Sequence, residues 1–178
     1  MSVPNPGGII ESVAELLAHA LELEYASQAH YAQLADSMAV HHNTAVAQLF
    51  RRLATMSAEH AAAVAARAGD MDLPRIPPWG FKWECPDAPE GGDCMDPGVS
   101  FGMTTVQALE LALHNERRGH AYYAHCAASA AVRDARSLAA EMAAEEAEHL
   151  SLLERMLAEE RRQHRNAPDD LDPPHTPA

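Results

Sequence analysis

Apolar positions recur at helical spacing in four long stretches of the chain. The first begins near Ile10 to Ser12 and runs to about Val40, with Leu17, Leu21, Glu24 and Tyr31 on one stripe. Seven residues at about 100° each return to within about 20° of the starting direction, so Leu17, Glu24 and Tyr31 face the same way. His41-His42-Asn43 makes a short connection in which Asn43 or Thr44 is the expected N-cap, and the second stretch runs to about Ala68, where Gly69 stops it. Its stripe is Leu49, Leu53, Ser57, His60 and Val64. Thr104-Thr105-Val106-Gln107 reads as a capping box opening the third stretch, which continues to about Ala131 with Leu109, Leu113, Glu116 and Tyr123 in line. The fourth runs from about Asp134 to Arg162 and turns Met142, Glu146, His149 and Leu153 inward. Short links inside each pair force antiparallel neighbours, so the pattern predicts an all-α fold, an antiparallel four-helix bundle made of two helical hairpins.

Residues 70 to 103 break the pattern with six prolines, five glycines and both tryptophans. So long a loop fits a compact chain when it is a crossover that carries the chain back along a bundle. Trp79, Phe81 and Trp83 are expected to fasten it to the helices. One bundle domain over residues 1–166 follows, with a C-terminal tail, 167–178, whose prolines and acidic residues predict disorder.

Composition narrows the function classes. The chain of 178 residues is long enough to bury a sizeable core. A net charge of -13 leaves no basic stripe for a phosphate backbone or an anionic membrane, so neither nucleic acid nor membrane is expected as a partner. The start lacks a basic segment followed by an apolar one, and no run is long and apolar enough to span a bilayer; a cytoplasmic location is the expectation. Cys85, Cys94 and Cys126 form no C-x-x-C pair, so no four-cysteine metal centre can be built within the chain, and reduced thiols are expected.

An internal repeat ties the stripes together. The first helix overlays the third at an offset of 92 residues, matching Leu17/Leu109, Ala20/Ala112, Leu21/Leu113, Glu24/Glu116 and Tyr31/Tyr123. The second overlays the fourth at an offset of 89, matching Leu49/Leu138, Ala54/Ala143, Glu59/Glu148 and His60/His149, which sets Ser57 opposite Glu146. Any one Glu on a helix is ordinarily a solvated residue. Here Glu24, His60, Glu116, Glu146 and His149 all fall on apolar stripes at matching heights. One Glu from each of two helices with Glu-x-x-His from each of the other two is the ligand set of carboxylate-bridged di-iron and di-manganese bundles, in which carboxylates bridge hard divalent ions and imidazoles cap them.

At Leu21-Glu22-Leu23-Glu24 with Tyr31, Phe50-Arg51-Arg52-Leu53-Ala54 leading to His60, Asn115-Glu116-Arg117-Arg118 with Tyr123, and Glu145-Glu146-Ala147-Glu148-His149, the chain resembles the rubrerythrin branch of the ferritin-like superfamily over about residues 10 to 160. The resemblance implies a ferritin-like bundle, commonly a homodimer, whose di-iron centre reduces hydrogen peroxide or reacts with dioxygen while oxidising Fe(II). It implies Glu24, His60, Glu116, Glu146 and His149 as metal ligands, with Tyr31 and Tyr123 beside them. Iron is the expected metal, with manganese or zinc as alternatives. The family's fused rubredoxin domain is missing, so electrons are expected from a separate donor such as a rubredoxin.

Two departures remain. A second helix-3 glutamate typical of peroxidase rubrerythrins is here Gly119, and the helix-2 glutamate is Ser57. Two Fe(II) ions bring four positive charges and Glu24, Glu116 and Glu146 supply three negative ones, so either an exogenous bridge completes the site or one metal position is weak. Glu59 lies about 200° around the helix from the needed direction and is expected to point outward. His120, one turn after Glu116, is the candidate extra ligand, and His30 is a weaker one. His19, His41, His42, His114, His125, His164 and His175 are expected on the surface or in loops. The competing readings are a metal-binding protein without turnover and a bundle with a degenerate site.

Overall fold

The computed structural model describes residues 8–76, 82 and 99–166, apart from the side chains of His164 and Asn166. Four helices appear: α1 (Val13–Val40), α2 (Thr44–Ala68), α3 (Thr105–Ser129) and α4 (Arg133–Asn166), with no strand among the described residues. α1 packs along α2 and α3 along α4, and the two hairpins meet through narrower α2–α3 and α1–α4 seams. Two hairpins joined into a four-helix bundle are the expected architecture. No helix among the described residues is long and apolar enough to cross a membrane.

Local chemistry accounts for most helix ends. The Ser12 side chain accepts from the Glu15 N–H at 3.1 Å and opens α1. Both halves of the capping box form: Thr104 Oγ1 accepts from the Gln107 N–H at 3.2 Å, and Gln107 Oε1 accepts from the Thr104 N–H at 2.8 Å. Gly69 ends α2 at φ 52°, the left-handed region where a Cβ is strained. α3 stops at Ser129, slightly earlier than its pattern suggests, and Arg136 Nη1 donates to the Ala130 and Ala131 carbonyls across the turn. α4 runs four residues beyond Arg162. There Arg161 pairs with Glu110 of α3 at 2.6 Å, and the Thr105 hydroxyl donates to Glu160 at 2.6 Å.

Asn43 holds the N-cap position of α2, as expected, but its side chain is used elsewhere. Asn43 makes no side-chain bond to its own helix. Its Nδ2 donates instead to the carbonyls of Phe101, at 3.1 Å, and Met103, at 2.8 Å, joining the α1–α2 turn to the start of α3. At the other end the Ala131 N–H donates to the Ile10 carbonyl at 2.8 Å, joining the α3–α4 turn to the start of α1. α1 is therefore antiparallel to α3, α2 is parallel to it, and Gly69 and Thr104 stand at opposite ends of the bundle, roughly 40 Å apart for helices of this size, as the expected crossover requires.

Trp79, Phe81, Trp83, Cys85, Cys94, His175 and the tail lie outside the described residues. Lys82 of the crossover lies beside the first turns of α1. Its Nζ meets Glu15 Oε1 and the Ile9 carbonyl, each at 2.5 Å, and its backbone N–H donates to His19 Nε2 at 3.2 Å. His19 is fully buried, contrary to its expected surface position, and the crossover amide is a partner that lies 63 positions away. Cys126 is a buried free thiol.

The core divides in two. One cluster, with Tyr31, Met38, Phe50, Leu53, Leu113 and Leu153, fills the end near the α1–α2 turn. The other, with Ile10, Leu16, Leu17, Val64, Tyr123 and Met142, fills the end near the α3–α4 turn. Between them lies a polar layer.

Candidate metal centre

The polar layer is where the four stripes cross. Glu24, Ser57 and Glu146 are buried, at 7%, 5% and 7% exposure, and His60, Glu116 and His149 are partly buried. His60 Nδ1 lies 3.8 Å from Glu24 Oε2. His149 Nδ1 lies 3.5 Å from Glu146 Oε2 and 3.8 Å from Glu116 Oε2. The two imidazoles stack across the α2–α4 gap, with centroids 4.0 Å apart and planes 10° from parallel. Glu59 and Glu148, in the same motifs, are exposed.

Glu116, Glu146 and His149 each present a ligand atom within 4.8 Å of the others, and this group can hold a metal ion. At 3.5 to 3.8 Å the imidazole nitrogen is too far from either carboxylate for a good hydrogen bond, and His149 Nδ1 is buried without a hydrogen-bond partner among the described residues. A buried nitrogen facing two carboxylates with no hydrogen-bond partner fits the ligand set of a metal ion.

Electrostatics agree. Burial, reinforced by the charge of Glu146, pushes the Glu24 carboxyl up to about 8. Burial and a hydrogen bond to Glu146 push Glu116 up to about 9. Glu146 falls below the ordinary carboxylate value: burial raises it, but the facing His149 imidazole, a hydrogen bond from Glu116 and the nearby His60 outweigh that cost. Burial, with the neighbouring His149, lowers His60. Without a cation, a single carboxylate charge is what this layer tolerates at neutral pH.

Two cavities flank the layer. One, of about 30 Å³, is lined by Tyr31, Ser57, Asn115, Arg118 and Gly119 together with Glu24, His60, Glu116 and Glu146. The other, of about 240 Å³, lies between α2 and α4, lined by His60, Arg67, Tyr123, Glu145 and His149 among others. Arg67 Nη1 donates to Glu145 Oε2 at 3.1 Å and its other nitrogen pairs with Glu145 Oε1 at the wall of this second cavity. Tyr31 stacks on Phe50 at 6.0 Å and accepts from Asn115 Nδ2 at 3.4 Å. The Tyr123 hydroxyl is buried with no hydrogen-bond partner among the described residues. Burial raises both phenols above their ordinary range.

Glu24, Ser57, His60, Glu116, Glu146 and His149 meet in one layer, and Tyr31 and Tyr123 lie on opposite sides of it. His120 is partly buried and lines neither cavity. Arg118 also lines the smaller cavity, although it lies two positions, about 200° around the helix, from Glu116, a place that helical periodicity gives no reason to expect at the site. Gly119 faces the acids directly, since a Cβ there would lie 3.5 Å from Glu146 Cδ.

Comparison with known proteins places the arrangement. The Rubrerythrin family model matches residues 15–79. A solved structure of an uncharacterised conserved protein from Magnetospirillum magnetotacticum MS-1 is similar at 36% identity over 83% of this chain and 95% of that one, with a TM-score of 0.62. No curated protein matches. The fold and these likenesses agree, and the chain belongs to the rubrerythrin branch of the ferritin-like proteins.

Proposed function

We propose that this protein is a non-haem di-iron oxidoreductase that reacts with hydrogen peroxide or dioxygen and oxidises Fe(II). The observation that carries the reading is the convergence of three acids and two imidazoles from four helices, with both Nδ1 atoms 3.5 to 3.8 Å from carboxylate oxygens. Glu116, Glu146 and His149 would hold one ion; Glu24 and His60 would serve the other. When bound, iron supplies the electrons for reducing the oxidant. The chain's own residues do the rest. The two apolar clusters bound the layer at either end of the bundle, and the raised phenols of Tyr31 and Tyr123 hold a proton on each side of it. The same reading makes a separate protein such as a rubredoxin the electron donor, a homodimer the assembly and the cytoplasm the compartment.

A second reading has its own observation: among the described residues one group, Glu116, Glu146 and His149, has three donors within ligand reach. A protein holding a single iron, manganese or zinc ion without turnover fits that group. Anaerobic loading with Fe(II), metal analysis and addition of peroxide or dioxygen separate the two. Near two irons per chain with oxidant-dependent loss of the ferrous form is expected. One ion per chain, inert to both oxidants, would install the second reading.

A further inference from the structure

The departures at Ser57 and Gly119 meet in one place. Ser57 is buried and stands in register with Glu146, and Gly119 directs its missing side chain at the Glu146 carboxyl, 3.5 to 3.7 Å away. Both border the same cavity of about 30 Å³. The cavity is the space that carboxylate side chains at these two positions would enter. A water needs on the order of 10–15 Å³ of such space, so the room suits two or three non-hydrogen atoms, with slight adjustment for a fourth. It is too small for an organic substrate of ordinary size.

The walls are suited to an anion on one side and cations on the other. Arg118 is among the lining residues, and a guanidinium pairs with carboxylates through parallel N–H donors. Ser27 and Ser57 bring hydroxyls. Asn115 brings an amide whose Oδ1 is buried without a hydrogen-bond partner among the described residues, and whose oxygen and nitrogen can exchange places to meet an acceptor or a donor. The opposite wall is Glu24, Glu116, Glu146 and His60, the metal-facing layer.

We propose that this cavity binds a small carboxylate-type anion, of the size of formate or bicarbonate, together with the metal ions, and that the anion takes the place of the carboxylate that Ser57 lacks. The inference rests on the di-metal reading above. Charge dictates the coupling: two divalent ions against three glutamates leave one positive charge in a buried layer, and one monoanion cancels it. Without metal the layer offers the anion no cation and still holds a carboxylate charge that repels it, so anion and metal bind together. Linkage then requires that each raise the other's affinity by the same factor.

The test is Mn(II) binding to the full chain, by equilibrium dialysis in carbonate-free chloride buffer, with and without millimolar formate or bicarbonate. We expect either anion to tighten the weaker Mn(II) position by about tenfold, in the range of ordinary coupling energies. A response to bicarbonate alone identifies that anion; equal responses identify any small carboxylate. Ser57→Glu should bind two Mn(II) ions without added anion and lose the response. Gly119→Glu serves as a second variant that fills the same space from α3, and Arg118→Met should blunt the response. Co(II) substituted for Mn(II) gives a spectroscopic check, because the anion should change its visible absorption in the native chain and not in Ser57→Glu. Mn(II) binding that ignores both anions overturns the inference and leaves the di-metal reading standing. Absence of Mn(II) binding under every condition overturns both.

Discussion

The carboxyl groups of Glu24 and Glu116, pushed up to about 8 and about 9, make the metal-free layer a pH-sensitive part of the molecule. A group whose pKa is higher in the folded than in the unfolded chain contributes its full stabilisation below the unfolded value, near 4.5 here, and loses it as pH rises through the folded value. The metal-free protein should therefore melt progressively earlier between about pH 5 and pH 9, by an amount on the order of a few kcal/mol. Glu24→Gln keeps the shape and removes one titration, so its melting temperature should fall less over that window. Parallel melting curves of the two proteins check this, and equal slopes would show that Glu24 ionises freely in the fold.

Among elements, the α1–α2 turn shows how tertiary contacts redirect a local signal. Asn43 stands where an N-cap is expected, yet its amide serves α3 through the Phe101 and Met103 carbonyls. Removing it leaves both carbonyls without that donor, so Asn43→Ala should cost about 1–3 kcal/mol. That is about 2–4 °C of melting temperature per kcal/mol in a chain of this size. Thr104→Ala removes a conventional cap and should cost about 1 kcal/mol. Thermal melts rank the two; Asn43→Ala as the milder change would mean that the hairpins hold together without this tie.

For the whole molecule, metal binding and stability are one quantity. A ligand present at about 100 times its dissociation constant stabilises the state that binds it by about 2.7 kcal/mol. Mn(II) should raise the melting temperature accordingly, and more at pH 9 than at pH 7, because protons on Glu24 and Glu116 compete with the metal. Glu146 touches His149, is hydrogen-bonded to Glu116 and faces Gly119, so Glu146→Ala should abolish the gain. A gain that survives would place the metal elsewhere.

What the sequence by itself determined is whatever repeats along one helix: the stripes, the capping box at Thr104, the stop at Gly69, the two-hairpin repeat and the register that sets Ser57 against Glu146. The stripes, cap and stop depend on neighbours three to seven positions away and on helical geometry, and the repeat on laying two such stretches over each other, so all are legible in one dimension. The tertiary structure decided what depends on residues distant in the chain. It buried His19 under the Lys82 amide, turned Asn43 toward α3, left His120 off both cavities, stacked His60 on His149 and opened the small cavity that Arg118 and Asn115 border. Periodicity places a side chain on a face; the packing of four helices sets how deep it lies, what it meets and how its proton is held.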